Sequence, residues 1–296
     1  MGNILIWTID RHDNGRYFIK YTFSMMEHDG EGIGDGIWSI FTICDALYDS
    51  EPGSTVIIDE PELSLHPMIQ RRLMDVFIRY AKDRQIIVST HSPYFISWDS
   101  IISGGNLVRV FKDENENIQC YTLGNNIKEK FKGIIADLNN PHVLGLQANE
   151  IFFLYDNIIL VEGQEDVIIF NRILRKMGIQ LNGNFFGWGV GGATKMETFL
   201  ELFTELGYRK VTAIYDGDKK EEMEKNKIKY ANYNFLILPT DDIRDKEVRS
   251  MPSKSGITNK NGEIKPEYKK WMRDIISDIN NYFANTGPCA VEESVQ

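Results

Sequence analysis

A chain of 296 residues, 42% hydrophobic and 26% charged, has the length for two domains with separate cores and the balance of a globular protein. Its formal net charge of −10 excludes a broadly basic nucleic-acid surface, though not a carboxylate site whose bound divalent ions reverse the field locally. No apolar run approaches the ~20 residues that span a bilayer, the start MGNILIWTIDRHD lacks a signal-peptide pattern, and Ile6 stands where myristoylation wants Ser or Thr.

Cys44, Cys120 and Cys289 are too scattered for a zinc knuckle or a disulfide framework. The expectation is a cytoplasmic protein with no membrane partner.

In chain order, β-like segments at 4–9 and 16–23 precede a glycine-rich stretch, EGIGDGIWSIF. Residues 55–58 read as a buried strand ending in Asp59-Glu60. A helix follows from Pro67 to about Ala81, and a strand at 85–89 runs into Thr90-His91-Ser92-Pro93. Strand-like runs at 106–112 and 118–123 flank the turn-rich DENEN. Residues 125–156 read as a mostly helical connector with a break at Asn139-Asn140-Pro141.

From Asn157 strands (158–161, 185–190, 210–215, 235–238) alternate with helices (165–177, 194–206, 219–229, 266–283), and 250–264 reads as a mobile polar loop. Such alternation predicts an α/β fold with a parallel sheet whose ligands gather at the strand C-termini; the first part predicts an α/β sheet with a mixed edge.

In TVIIDEP the strand delivers two carboxylates to a sheet edge. Asp59 is suited to hold Mg²⁺ through water, and Glu60 to polarise the water attacking a γ-phosphate. A lone strand-end Asp-Glu is an ordinary acidic turn, but DEPELSLHP followed by STHSP resembles the Walker B, D-loop and switch region of ABC-type ATPases, the class of the SMC and recombination-repair ATPases. The resemblance implies that His91 contacts the γ-phosphate. It also implies that Gly32, Gly34 and Gly36 stand at the signature motif, although they depart from its Leu-Ser-Gly-Gly form. There glycines and a helix N-terminus bring backbone N–H groups to phosphate.

No Gly-x-x-x-x-Gly-Lys-Ser/Thr loop occurs. The expectation is therefore the C-terminal half of an ABC-type ATPase domain: a fragment, a chain completed by a separate polypeptide carrying the Walker A half, or one that has lost nucleotide binding. ATP hydrolysis is expected only with a completing N-terminal half.

In IILVEGQED a hydrophobic strand ends at Glu162, and in VTAIYDGD another ends at Asp216-Gly217-Asp218. Phosphodiester chemistry needs a divalent metal to neutralise phosphate and activate water, and strand-end carboxylates supply the hard oxygen ligands. If strand geometry persists through Gly217, Asp216 and Asp218 point the same way and form a clamp, while Gly163 allows close backbone approach beside Glu162. Two acidic turns after buried strands are the plain alternative.

VEGxxD followed by a strand and YDGD resembles the Toprim motif of topoisomerases, primases, recombination proteins and certain nucleases, over residues 157–296. Topoisomerases need a tyrosine-bearing domain for which there is no room, and bacterial-type primases a zinc module that three scattered cysteines cannot build.

The two modules in tandem, joined by LGLQANEIFFLYDNIILVEG, resemble the overcoming-lysogenization-defect (OLD) family of ATP-linked nucleases. The resemblance implies domains at 1–124 (partial ATPase), 125–156 (linker) and 157–296 (Toprim). It implies a homo-oligomer that cuts DNA, in antiphage defence. Two Mg²⁺ or Mn²⁺ ions would be held by Glu162, Glu165 or Asp166, Asp216 and Asp218. Asp242 fits a further acidic position, with Asp245 a rival; Lys254, Lys269 and Lys270 compete for an assisting lysine. GVGGATK, residues 189–195, is either a phosphate-approach loop or a plain turn. The competing reading is a non-cleaving, nucleic-acid-binding or regulatory scaffold derived from an ATPase.

Overall fold

A computed structural model describes residues 6–11, 17–23, 26–29, 34–113, 116–136, 149–150, 156–246 and 253–285. The chain forms two compact units, Met1–Phe95 and Ile96–Gln296. No helix of the described residues is long and apolar enough to cross a membrane.

The first unit opens with an antiparallel sheet of β1 (Ile6–Arg11), β2 (Tyr17–Phe23) and β3 (Met26–Asp29), in that order. The third strand is absent from the sequence reading, because MEHD has no apolar alternation to announce it. After α1 (Asp35–Asp49), β4 (Thr55–Asp59) and β5 (Gln85–Ser89) pair in parallel across α2 (Pro67–Tyr80). Proline at the first helical position and the His66 Nδ1, which accepts the Met68 N–H at 3.2 Å, start α2. One stripe of it, Gln70, Leu73 and Phe77, is buried, the spacing of a single helical face. Leu73 and Phe77 meet Leu47, Ile58, Leu65 and Phe95 in a small core.

The second unit begins with α3 (Trp98–Ile102) and a hairpin of β6 (Val108–Lys112) and β7 (Ile118–Thr122). The hairpin packs through Arg109, which donates to the Leu206 carbonyl at 3.1 Å, and through Tyr121, whose ring lies where a Cβ at Gly207 would stand. α4 (Asn125–Ala136) buries Ile127 and Phe131 in the core that also holds Phe186, Phe199 and Phe203. The break expected at 139–141 lies outside the described residues.

The centre is an all-parallel sheet in the order β11-β10-β8-β9: β8 (Ile158–Leu160), β9 (Asn184–Phe185), β10 (Val211–Tyr215) and β11 (Asn234–Ile237). Between the strands run α5 (Gln164–Met177), α6 (Ala193–Glu205) and α7 (Lys220–Lys229). Every residue of β8 and β10 is buried because side chains alternate into two cores. Ile158, Leu160, Ala213 and Tyr215 pack with Phe186, Phe199 and Phe203; Ile159, Val161 and Ile214 pack with Phe170, Ile173, Ile276 and Ile279. The last two belong to α8 (Lys269–Asn285), which closes that face.

Two expectations are corrected. The strand expected at 185–190 stops at Phe185, because Gly187, Gly189, Gly191 and Gly192 all take positive φ. Within the expected loop at 250–264, Gly256–Thr258 forms β13, parallel to β12 (Asp242–Arg244), and Lys254 pairs in an antiparallel bridge with Lys246; residues 247–252 lie outside the described set.

Candidate active site

The C-terminal ends of neighbouring strands β8 and β10 bring Glu162 and Asp216 together. The Asp216 N–H donates to Glu162 Oε1 at 2.9 Å. Three contacts fix Glu162 from behind: the Gly191 and Gly192 N–H groups donate to its carbonyl at 2.9 and 2.8 Å, and Val190 donates to Val161 at 2.9 Å. The turn within GVGGATK thus spends two of its N–H groups on the backbone of Glu162. Gly189 makes the approach possible: at φ +86, a Cβ there would lie 2.7 Å from the Gly163 backbone. Asp166, in the first turn of α5, accepts the Gly163 N–H at 2.8 Å, the returning half of a capping box with glycine as N-cap.

These carboxylates wall a cavity of about 370 Å³ whose lining includes Glu162, Glu165, Asp166, Trp188, Asp216 and Lys246. Burial first, then mutual repulsion, pushes their titration upward. Asp166 rises to about 7 and Asp216 to about 8; Glu162 is raised too, chiefly by burial and partly offset by the Asp216 N–H.

Among the described residues no three acidic, histidine or cysteine side chains form a ready-made metal cage. Mg²⁺ does not require one, since it commonly takes one or two carboxylates and keeps its waters. The donor set of Glu162 and Asp216, with Asp166 beside them, fits such an ion: hard oxygens crowded together, whose raised titration a bound cation would reverse. Those three carboxylates make no ion pair among the described residues.

Glu165 and Asp242 stand differently. Lys246 Nζ lies 2.7 Å from Asp242 Oδ2 and 2.9 Å from Glu165 Oε2, and Arg244 Nη2 is 2.6 Å from Glu165 Oε1. Their charge is already met. Lys246 and Arg244 carry no motif of their own, and only the β12–β13 pairing reveals their place; the alternation of Asp242, Arg244 and Lys246 along one strand face was the available signal.

The clamp expected of Asp216 and Asp218 does not form as a strand pair. The strand ends at Tyr215, and Gly217–Lys219 turn in a 3-10 helix because the Gly217 N–H is taken by the Thr240 carbonyl at 2.9 Å. Asp218 instead meets Lys254 at 2.7 Å and Lys219 at 3.6 Å. Burial works to raise its titration, but these lysines prevail and hold it below the usual aspartate range. Asp242 reaches the cluster through Lys246, whereas Asp245 is held by Lys265 at 2.8 Å and by the Gly256 N–H at 2.9 Å. Lys254 is the one of the three competing lysines that meets a site carboxylate; Lys269 and Lys270 are exposed on α8.

In the first unit, Asp59 and Glu60 end β4 and His91 follows β5. His91 Nε2 lies 3.9 Å from Glu60 Oε1 with its side chain 85% exposed. Glu60 sits at φ +45, a left-handed conformation uncommon for a side-chain-bearing residue and recurrent at functional sites. Glu62 organises the segment: its carboxylate accepts the His91 N–H at 2.6 Å and the Thr90 hydroxyl at 2.7 Å. Glu62 lies within DEPELSLHP, and only the fold reveals this role. Gly34 is the N-cap of α1, Gly36 packs against the Ser64 carbonyl, and Gly32 lies outside the described residues.

Two family models match the chain. The model described as AAA domain, putative AbiEii toxin, Type IV TA system covers residues 24–97, and the overcoming lysogenization defect protein-like TOPRIM domain covers residues 153–218. The Old nuclease of Escherichia phage P2 is 30% identical over 138 residues, 45% of this chain and 22% of that protein. Endonuclease GajA of Bacillus cereus (strain VD045) is 24% identical over 238 residues, 75% of this chain and 38% of that protein. The OLD nuclease of Thermus scotoductus (strain ATCC 700910 / SA-01) is 31% identical over 170 residues, 52% of this chain and 30% of that protein. The chain thus spans well under half the length of the curated relatives it matches. The chain thus pairs an AAA-type segment with a later segment similar to the TOPRIM domain of overcoming-lysogenization-defect proteins, and it is similar over part of its length to nucleases of that name.

Proposed function

We propose that this chain is a Mg²⁺- or Mn²⁺-dependent DNA endonuclease whose cutting is governed by its ABC-type ATPase portion, working as a cytoplasmic homo-oligomer in antiphage defence. The observation that carries the reading is that the Asp216 backbone N–H donates to the Glu162 carboxylate at 2.9 Å, so that the two strand-end acids line, with Asp166, one cavity at the C-terminal end of a parallel sheet. The names of the relatives, Old nuclease and Endonuclease GajA, support the reaction class.

Glu162 and Asp216 would hold the ion, which when bound neutralises phosphate and makes its water a better nucleophile near neutral pH. Around that point the protein supplies fixed groups. Lys246 and Arg244 immobilise Glu165 and Asp242, Lys254 holds Asp218, and the Gly191 and Gly192 N–H groups keep the Glu162 backbone from shifting. Such prior placement of charge is the main contribution a protein makes to phosphodiester cleavage. In the other unit Asp59, Glu60 and His91, with Gly34 and Gly36, are the nucleotide-facing groups of this proposal. ATP turnover requires a completing Walker A half.

The test is nicking of supercoiled plasmid by the purified chain, alone and with a Walker A half supplied, with Mn²⁺ and with Mg²⁺. Cutting that disappears in Glu162→Ala and Asp216→Ala supports the nuclease. Nucleic-acid binding without cutting under every condition supports the non-cleaving scaffold instead.

A further inference from the structure

Family resemblance implies two divalent ions, yet the acidic groups around the cavity fall into two sets with opposite bookkeeping. Glu162, Asp166 and Asp216 face one another with no basic partner in an ion pair among the described residues. Glu165 and Asp242 are matched one for one by Arg244 and Lys246, with contacts of 2.6, 2.7 and 2.9 Å. Asp242 has only 6% of its side chain exposed, so its carboxylate depends on a charge partner, and Lys246 is that partner. Lys246 is anchored through its own backbone, whose N–H and C=O both pair with Lys254 at 3.0 Å. A second divalent ion at Glu165 and Asp242 would have to displace a tethered ammonium from two charge-assisted contacts and leave it beside a dication.

We infer that this chain takes one divalent ion, at Glu162 and Asp216, and that Lys246 is the built-in cation at Glu165 and Asp242, the first of which the resemblance offers, with Asp166 as its alternative, for a second ion. The inference rests on the metal-dependent nuclease reading and narrows it. Lys246 is a positioning residue on the cavity wall: it holds Glu165 and Asp242 apart from the ion and keeps one fixed positive charge there at every metal concentration. It also explains why the β12–β13 register matters, since a shift by one residue would turn Lys246 and Asp242 to the other face.

The experiment is Mn²⁺ binding stoichiometry of the full chain, read by loss of the free-ion electron paramagnetic resonance signal. The wild-type chain is expected to bind one ion. Lys246→Gln, which unmasks Asp242 and the Glu165 oxygen that Arg244 does not hold, is expected to bind two, and Lys246→Arg, which keeps the charge, one; circular dichroism checks that each variant folds. Two ions of similar affinity in the wild type would overturn the inference while leaving a metal-dependent nuclease standing, as would one ion in a folded Lys246→Gln. No ion in the wild type would bring down the metal-dependent reading and the inference with it.

Discussion

The Asp216 backbone N–H donates to the Glu162 carboxylate at 2.9 Å, joining two residues 54 positions apart at the ends of adjacent parallel strands. Strands β8 and β10 are in direct register, with Ile158 opposite Val211 and Leu160 opposite Ala213, so the two acidic ends emerge side by side. Charge crowding at this point has consequences beyond the site itself.

One concerns pH. Folding raises Asp166 to about 7 and Asp216 to about 8, chiefly by burial. A raised acid favours the folded state fully below the ordinary aspartate range and loses that contribution as pH climbs through the folded value. In EDTA the thermal midpoint should therefore fall between pH 6 and 8.5. Mn²⁺ should oppose the fall most at the alkaline end, where the carboxylates are free of protons. A metal-induced shift that is the same at pH 6 and 8.5 would contradict this.

A second concerns Gly189. At φ +86 and with a Cβ position 2.7 Å from the Gly163 backbone, Gly189→Ala must strain the turn or push the Glu162 strand end away. The expected cost is about 1–3 kcal/mol, a lowering of roughly 2–4 °C per kcal/mol for a unit of this size. Nicking activity should fall with it. A variant unfolding within about 0.5 kcal/mol of wild type in urea would show that the close approach is not needed.

In the first unit, Glu60 and Glu62 should respond oppositely. Glu60→Gly relieves a φ of +45 and should leave stability unchanged or raise it by up to about 1 kcal/mol. Glu62→Ala removes two charge-assisted contacts, to the His91 N–H and the Thr90 hydroxyl, and should cost about 1.5–3 kcal/mol. Chemical denaturation of both variants decides the point.

Much of this architecture was legible in advance. The runs IILV and VTAIY are continuous and apolar because both faces of a parallel sheet are covered, and their acidic ends meet at the candidate site. What was hidden depended on long-range pairing. Whether Asp218 joins Asp216 is decided by the Thr240 carbonyl capturing the Gly217 N–H, and no local pattern encodes that. Arg244 and Lys246 lie within the polar LPTDDIRDK segment, and only its alignment beside residues 254–258 turns them toward Glu165. The glycines of GVGG announced a turn, but not that its N–H groups are committed to the Glu162 carbonyl.

The central claim, that Glu162 and Asp216 act on one shared ion, is tested most directly by a double-mutant cycle on Mn²⁺-dependent nicking with Glu162→Gln and Asp216→Asn. Groups that work as a unit lose nearly everything on the first removal. Each single variant should therefore fall to background, and the pair should be no worse than either. Independent losses that multiply in the double variant, or substantial cutting in either single variant, would contradict the account.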